Sequence, residues 1–469
     1  MLDDPAHAQL SSELWAEVLT KLASPAELSS ASATCTALRD AYTANRDAVW
    51  TALLALPRIQ PYANVTKSPG ENGPPKYKFA MRLRSAWRNH SPEASLISFH
   101  SYVRCVKVDW STYSIAVGLY DGTVYTCDLE GHFKRPAGEG GHSSGEAIAL
   151  DYSGAILVSG SGEPSYYEQS CPGATLRVVD LSCPPWKLVH EIGSHDGGHT
   201  DSINDIKIVA CVWGASPRCV ACSASSDASL IVWNLTAGKP LHRLSAHRAA
   251  VTALALVGEA PCTTILSCGR DSGVREWDWR AGACTRVIVE PPPPSLGLSS
   301  QVKEFSAISF HAPTSSFALG NFEGSVRLYR YNRRRGPAEL PCYPLTGWCQ
   351  GGGHPSRARE VARICHDGDK LAYVARSGVL EVLWLGPLPD EGQPFGLYAD
   401  GRSVRQIHLA QGGFSQDIDI GEVLPQAALA PGLASEVRMY VSSIDIHGGM
   451  LVADGFDNST LVCNALGDD

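Results

Sequence analysis

Two stretches with nearly the same pattern decide the fold of this chain: CVACSASSDASLIVW at residues 219–233 and ILSCGRDSGVREW at residues 265–277. In each stretch a serine lies 4 residues before an aspartate, and a tryptophan lies 6 residues after that aspartate. A histidine precedes each stretch, and these histidines, His199 and His247, are 48 residues apart. A period of this size is typical of repeated four-stranded units. The sequence therefore predicts a repeat fold built from strands.

The polar and aromatic positions of each repeat suit one buried hydrogen-bond chain. The aspartate lies in a turn between two strand-like runs, and the serine and tryptophan lie on those runs. Buried polar groups must be paired, so such a chain fixes the packing of its unit. The segments resemble WD repeats, and the resemblance implies that each set is bonded within one blade of a β-propeller. The two sets are His199, Ser223, Asp227 and Trp233, and His247, Ser267, Asp271 and Trp277.

The Ser–His–Asp combination also raises a hydrolase as an alternative. A catalytic triad occurs once, with its serine on a strained turn, whereas this set occurs twice at the repeat period with its serine inside a strand. The sequence also has no Walker loop and no H-E-x-x-H motif. We therefore predict that the chain is not an enzyme, with no catalytic residue and no cofactor.

Weaker copies of the strand pattern begin near Val103, Ala147, Phe305, Val361 and Val441. With the two clear repeats they make seven triplets of strands, so we predict a mainly β fold with a seven-bladed WD-type propeller over residues 94–469. Six or eight blades are the alternatives. The last triplet lacks a fourth strand, and residues 95–100 form an unpaired strand before the first triplet. We expect this N-terminal strand to complete the last blade and close the ring.

The residues ahead of the propeller have the apolar spacing of short helices. Residues 10–54 resemble an F-box, except that Ser11 stands where that family usually has proline. The resemblance implies that apolar residues of this small all-α domain bind the Skp adaptor of a cullin ligase. These are Leu10, Leu14, Val18, Leu22, Leu28, Cys35, Leu38 and Trp50. An ordinary helical cap is the alternative. Residues 1–9 are expected to be a flexible tail, and residues 55–93 a loop and helical linker.

Composition bears on partners and compartment. The 469 residues carry a formal net charge of −9, which argues against a nucleic-acid-binding surface. The N-terminus does not read as a signal peptide, and no window is apolar enough to span a membrane. The 15 cysteines form no regular disulfide framework, so we expect a reduced compartment, cytoplasmic or nuclear or both. Cys219 and Cys222 form one CxxC inside a strand, which we interpret as buried cysteines and not as a metal site.

The order of F-box, linker and propeller resembles the F-box/WD-repeat family over nearly the whole chain. The resemblance implies a substrate-recognition subunit of a Skp–cullin–F-box ubiquitin ligase, whose propeller binds a target protein for ubiquitination. A WD-repeat scaffold outside any ligase is the alternative. In that family the target binds a rim around the propeller channel, and the matching candidates are Lys107, Tyr120, Asn204, Thr252, Arg270, Phe322 and Phe456, with Ser226, Ser309 and Asp445 at the same positions in other blades. We expect a mainly apolar target peptide with one acidic or phosphorylated residue.

Overall fold

The computed structural model describes residues 93–464 with internal gaps, together with Trp50, Thr51, Leu54, Lys76 and residues 78–82. The gaps are residues 133, 139, 144, 154, 163–173, 183–185, 213–217, 259–263, 290–303, 332–341, 346–359, 369, 376–378, 385–403, 409–442, 448–449 and 455–457. The chain divides into two compact units. One comprises residues 1–93, 447–450 and 464–469, and the other comprises residues 94–446 and 451–463.

Six sheets of the second unit are each built from four consecutive antiparallel strands. Sheet 1 contains β2 (Val103–Asp109), β3 (Ser114–Leu119), β4 (Val124–Asp128) and β5 (Arg135–Pro136). Sheet 2 contains β6 (Glu146–Ser153), β7 (Ile156–Gly162), β8 (Leu176–Asp180) and β9 (Lys187–Ile192). Sheet 3 contains β10 (Ile203–Val212), β11 (Arg218–Ser225), β12 (Leu230–Asn234) and β13 (Lys239–Leu244), after a 3-10 turn at Ser194–Asp196.

The next three sheets repeat this order. Sheet 4 contains β14 (Val251–Leu256), β15 (Thr264–Gly269), β16 (Val274–Asp278) and β17 (Ala283–Val289). Sheet 5 contains β18 (Phe305–His311), β19 (Ser316–Asn321), β20 (Val326–Arg330) and β21 (Cys342–Leu345). Sheet 6 contains β22 (Val361–Asp367), β23 (Lys370–Ala375), β24 (Val379–Trp384) and β25 (Val404–His408).

A closing sheet joins the two ends of the propeller sequence. It places β1 (Glu93–Ser98) beside β28 (Ser459–Asn464), followed by β27 (Met450–Asp454) and β26 (Ile444–His447). The backbone N–H of Phe99 donates to the carbonyl of Asn458 at 2.6 Å, which anchors the end of β1. The prediction that the N-terminal strand completes the last sheet is therefore confirmed.

The first strands of successive sheets pack against one another, from β2 through β6, β10, β14 and β18 to β22. β26 bonds to both ends of this series, because the Val108 N–H donates to Asp445 and the Cys365 thiol donates to the Ile444 carbonyl. Each first strand of sheets 1 to 6 has a register shift near its start, as between Val103 and Cys105. A bulge of this kind bends and twists a strand, and its repetition turns the first strands toward a common centre.

The turn between the second and third strands also repeats. The residue after the turn acid has a positive φ in four sheets, at Gly122, Ala228, Ser272 and Gly324. Glycine has no steric cost in this conformation, whereas alanine and serine pay a cost that the surrounding hydrogen bonds must offset. Apolar side chains from adjacent sheets interlock between them, as Trp277 of sheet 4 does with Val209 and Val232 of sheet 3. The predicted mainly β propeller is confirmed.

The predicted helical front of the chain is described at few positions. Residues 10–49, with seven of the eight predicted adaptor-binding side chains, lie outside the described residues. Trp50 is helical and buried, as is Leu54, so the chain itself covers the tryptophan that we expected to present an apolar surface. Residues 78–82 are helical, in agreement with the predicted linker helix. None of the helical segments among the described residues is long and apolar enough to cross a bilayer.

Candidate functional site

The predicted hydrogen-bond chain of sheet 3 is present. His199 Nε2 lies 2.7 Å from Ser223 Oγ, and its Nδ1 lies 2.9 Å from Asp227. The indole N–H of Trp233 donates to the same serine oxygen at 2.8 Å. A carboxylate accepts only, so His199 donates from Nδ1 and accepts from the serine hydroxyl at Nε2. Every member of the chain is thereby paired.

Sheet 4 has the same arrangement with one additional donor. His247 lies 2.7 Å from Ser267 and 3.0 Å from Asp271, and Trp277 donates to Ser267 at 2.8 Å. Arg275 Nη1 lies 2.7 Å from His247 Nδ1 and 2.8 Å from Asp271. His247 Nδ1 therefore faces both a carboxylate, which can only accept, and a guanidinium, which can only donate. Arg275 thus adds a positive charge beside the imidazole of sheet 4.

The charge states of these chains follow from their partners. Burial opposes ionisation of Asp227, but hydrogen bonds from His199 and Ser229 outweigh it and hold the pKa of this carboxyl well below its ordinary value. The pKa of Asp271 is lowered in the same way, with burial again opposing and His247 as the main donor. Burial lowers the pKa of His247, Asp271 opposes this shift, and Arg275 adds to it. The aspartates are ionised and His247 is neutral at physiological pH.

The two serines of these hydrogen-bond chains lack the exposure that a catalytic nucleophile needs. Ser223 and Ser267 are both fully buried, at 0% exposure, and each accepts a hydrogen bond from a tryptophan N–H. A second serine motif, GHSSG at residues 141–145, does match the G-x-S-x-G pattern. Its central serine, Ser143, lies on a loop where its backbone N–H bonds Glu191, and not between a strand and a helix. The nucleophile-elbow geometry is therefore not formed at Ser143.

Sheet 2 contains a partial chain that the sequence analysis missed. His142 lies 2.9 Å from Ser159 and 2.8 Å from Thr175. Ser159 faces Arg177 across the sheet as Ser267 faces Arg275 in sheet 4, so the serine position is retained. Burial and, to a smaller extent, Arg177 lower the pKa of His142 to about 3. The Gly141-His142 dipeptide 17 residues before Ser159 was the available signal.

The register corrects one set of predicted rim positions. Lys107 pairs with Ala116 three residues beyond the bulge residue of its strand, at the same level as Lys207, Ser309 and Cys365. Asn204 and Thr252 are instead the bulge residues of their strands. The predicted positions therefore lie at two different levels of the ring, because nothing in the local sequence marks the extra residue of the bulge.

Charged side chains of the first strands bond to one another within the ring. Lys107 Nζ lies 2.7 Å from Asp445, and Lys207 Nζ lies 3.0 Å from Asp205. Burial disfavours the charged form of Lys107, but Asp445 and Asp151 outweigh it and raise the pKa of the ammonium group. Charge pairing of this kind is the usual condition under which ions are buried.

The same aspartates link neighbouring sheets. Three backbone N–H groups donate to a carboxylate of the preceding sheet: Val108 to Asp445 at 3.2 Å, Ile208 to Asp151 at 2.6 Å, and Leu254 to Asp205 at 2.8 Å. Burial raises the pKa of the Asp151 carboxyl although Lys107 and Lys207 oppose the shift. At Asp205 burial acts in the same direction, but Lys207 and Arg363 prevail and lower its pKa.

Arg363 extends across the ring. It belongs to sheet 6, and its Nη2 donates to the backbone carbonyl of Asn204 in sheet 3 at 2.8 Å. Asn204 in turn bonds Ser226 at 3.0 Å and the carbonyl of Val251 at 2.8 Å. Thr252 is buried and donates to the carbonyl of Phe305. Asn204 and Thr252 therefore hold sheets together.

Four predicted target-binding positions occupy the same place in four sheets. The backbone N–H of the residue before each turn acid donates to the carbonyl of the residue just before the first strand. These bonds join Tyr120 to Tyr102, Ser226 to Ser202, Arg270 to Ala250 and Phe322 to Glu304, at 2.8–3.1 Å. Tyr120 and Tyr102 are large exposed side chains, at 49% and 45% exposure. Phe456 lies outside the described residues. We call this set of equivalent positions the rim.

Arg104, on the first strand of sheet 1, and the rim residue Arg270 are each placed between an aromatic ring and a carboxylate. The Arg104 guanidinium lies 5.0 Å from the centre of the Tyr120 ring, and its Nε lies 2.7 Å from Glu146. The Arg270 guanidinium lies 4.9 Å from the centre of the Phe322 ring, and its Nε lies 4.0 Å from Glu304.

The residues with ligand atoms for a metal ion include the CxxC motif noted in the sequence. Cys219 is disulfide-bonded and lies opposite Cys211 in the register, which differs from our expectation of reduced cysteines. Among the described residues, Asp128, Glu130 and His132 bring their ligand atoms together. Asp128 there accepts the His132 backbone N–H at 2.6 Å, just as Asp180 and Asp278 accept bonds in the matching turns of other sheets. The turn alone accounts for this cluster.

The chain was compared with known proteins. The family model "WD domain, G-beta repeat" matches residues 238–278, which span the outer strand of sheet 3 and most of sheet 4. No curated protein matches the chain. The matched segment contains His247, Ser267, Asp271 and Trp277, so the family model and the bonded chain identify the same repeat. Together with the four-stranded sheets, this repeat supports a WD-repeat protein with a β-propeller fold.

Proposed function

We propose that this chain is the substrate-recognition subunit of a Skp–cullin–F-box ubiquitin ligase. A WD-repeat propeller is a protein-binding architecture, and the F-box-like pattern of residues 10–54 precedes it in the sequence. That combination carries the proposal. The F-box would bind the Skp adaptor, and the propeller would hold a target protein beside the ubiquitin-charged enzyme. The chain itself would do no bond chemistry and would act by raising effective concentration.

The proposal includes a ring of seven blades, formed by sheets 1 to 6 and the closing sheet. Its support is the position of β26, which bonds to β2 through Asp445 and to β22 through the Cys365 thiol. The acidic composition supports a protein partner over nucleic acid or membrane, and a cytoplasmic or nuclear location belongs to the same proposal.

The rim is the proposed target-binding surface. Aromatic side chains and arginine are enriched at the energetic centres of protein interfaces, and Tyr120, Arg270 and Phe322 combine both. A Phe322→Ala/Arg270→Glu variant should lose target binding, retain the adaptor and melt within a few degrees of the wild type. Targets that still bind this variant would place recognition on another surface.

Adaptor binding provides the direct test of the ligase assignment. A Leu14→Asp/Leu22→Asp variant should no longer co-purify with recombinant Skp adaptor, because two carboxylates cannot be buried in an apolar interface without a partner. The circular dichroism spectrum and melting of its propeller should stay unchanged. Adaptor binding that survives both substitutions would exclude the F-box.

A WD-repeat scaffold outside any ligase is the second candidate. The burial of Trp50 favours it, because a tryptophan covered by its own chain contributes no apolar surface to an adaptor. Wild-type protein that binds targets but not the Skp adaptor would support the scaffold.

A further inference from the structure

We propose that the rim selects an uncharged, unphosphorylated segment of its partner, and that Glu146 is the residue that sets this specificity. The inference rests on the proposed role of the rim in target binding. It concerns the chemistry of the target, which the WD architecture leaves open.

Arg104 has the features of a phosphate-binding residue but not the access. Phosphate takes two parallel N–H groups from one edge of a guanidinium. On Arg104 one such edge faces Glu146, because Nε lies 2.7 Å from one carboxylate oxygen and Nη2 donates to the other at 3.2 Å. The side chains of this pair are 15% and 9% exposed, so solvent screens it little. The Glu146 carboxylate therefore balances the charge that would attract a phosphate to Arg104.

The ring of Tyr120 closes a second approach. The guanidinium lies over one face of this ring, and Tyr102 packs edge-on against the ring with centroids 6.2 Å apart. Arg104 therefore orients the two tyrosines and has little surface of its own for a partner to contact. Sheet 1 therefore exposes two tyrosine side chains, each about half accessible to a partner. Such surfaces bind proline or aromatic side chains of extended peptides.

The neutralising carboxylate recurs at one structural position. Glu146, Glu304 and Glu360 each stand immediately before the equivalent residue of a first strand, at Ala147, Phe305 and Val361. Glu304 stands 4.0 Å from Arg270 of the preceding sheet, as Glu146 stands beside Arg104 of its preceding sheet. The Arg270 pair is a third exposed and contributes less. The rim thus supplies its own counter-charges and favours a partner without phosphate.

The test uses the full chain and a random-sequence dodecamer library displayed on phage. We expect the selected peptides to be rich in aromatic residues or proline and poor in acidic ones. A synthetic copy of the best peptide, and copies carrying one phosphoserine at successive positions, are then compared by fluorescence anisotropy. Phosphorylation next to the rim contact should weaken binding to the wild type about tenfold or more, because like charges meet at Glu146.

Glu146→Gln should reverse this preference, since the isosteric amide leaves Arg104 with its positive charge uncompensated. The phosphorylated peptide should bind this variant about tenfold more tightly than it binds the wild type. Arg104→Met in the same chain should abolish the gain. Glu276→Gln is the matched control, because Glu276 pairs with Arg286 at 2.6 Å with similar burial on the outer strands of sheet 4. It should leave both affinities unchanged.

Failure of the inference and failure of the proposed function give different results. A wild-type rim that prefers the phosphorylated peptide, or a Glu146→Gln variant that gains nothing while Tyr120→Ala still weakens binding, would overturn the selectivity alone. Selected peptides that are insensitive to Tyr120→Ala, or a library that yields no binder, would overturn peptide binding at the rim and the selectivity with it. Circular dichroism and melting of each variant exclude misfolding as the cause.

Discussion

Replacement of Trp277 by alanine should destabilise the propeller far more than replacement of Cys127 by alanine. The two side chains occupy equivalent positions, opposite Ile265 in sheet 4 and opposite Ile115 in sheet 1. Both are buried, at 2% and 4% exposure. They differ in size and in hydrogen bonding, because Trp277 also donates to Ser267 at 2.8 Å.

The magnitudes follow from what each substitution removes. Truncation of a buried tryptophan to alanine costs about 3–5 kcal/mol, of which the lost hydrogen bond accounts for about 1 kcal/mol. Removal of one buried sulfur atom at Cys127 should cost about 1 kcal/mol, close to the value for a methylene group. Trp277→Phe separates the two contributions, since it keeps most of the apolar contact and loses the indole N–H.

Equilibrium unfolding in urea, followed by far-ultraviolet circular dichroism, measures these differences without relying on the fluorescence of the tryptophan that is removed. The expected order of stability is wild type, Cys127→Ala, Trp277→Phe and Trp277→Ala. Equal losses for Cys127→Ala and Trp277→Ala would refute the reasoning, because they would show that the bonded chain of sheet 4 adds nothing beyond an ordinary buried side chain.

Three further predictions concern charge, backbone strain and tautomers. Asp205→Asn should lower the free energy of unfolding at pH 7 more than Asp151→Asn, because the pKa of Asp205 is lowered in the folded chain and that of Asp151 is raised. The stabilisation by Asp205 is present above the ordinary carboxyl pKa of about 4 and is lost as the pH falls through its lower folded pKa, whereas the penalty from Asp151 disappears in acid; equal losses at pH 7 and pH 3 would contradict this. Gly282→Ala should cost about 2–3 kcal/mol by thermal or urea unfolding, because φ is +66° and the new Cβ would lie 2.5 Å from His242 Nδ1. At Gly140, φ is +69° and a new Cβ would have no neighbour within 4 Å, so Gly140→Ala should show only the cost of the backbone conformation. A similar loss of stability at both glycines would exclude a contribution from the contact with His242. Nitrogen-15 NMR of the imidazole rings should find the proton of His199 on Nδ1, where Asp227 is the acceptor, and a proton on Nε2 alone would disprove the hydrogen-bond chain of sheet 3.

The sequence was most informative where one residue type has one structural role. The His, Ser, Asp and Trp of sheets 3 and 4 were located because their spacing repeats and because a buried polar chain tolerates few substitutes. The strand that completes the closing sheet was predicted from a counting argument, since one triplet lacked an outer strand and one strand lacked a sheet.

The candidate site was harder to predict because its contacts join different sheets. The pair of Arg104 with Glu146 links residues 42 positions apart, and Arg363 reaches Asn204 over 159 positions. Spacing within one repeat carries no information about such contacts. The bulge in each first strand also has no composition of its own, so Lys107 was assigned to the level of Asn204 when it lies deeper in the ring. In sheet 2, His142 bonds the hydroxyl of Thr175 and not a turn aspartate, so the spacing of the clear repeats did not reveal this hydrogen-bond chain.

The shared closing sheet has a consequence for the order in which the sheets are encoded. Because β1 and β26–β28 belong to one sheet, the two ends of the propeller sequence lie side by side in the folded chain. A circular permutant that joins these ends and opens between two other sheets would retain all seven sheets and all bonds between their first strands. Its melting temperature can then be compared with that of the natural chain. The natural chain has its two ends within the closing sheet, whereas the permutant has them between two complete sheets. A more stable permutant would identify the natural junction as the weakest point of the ring.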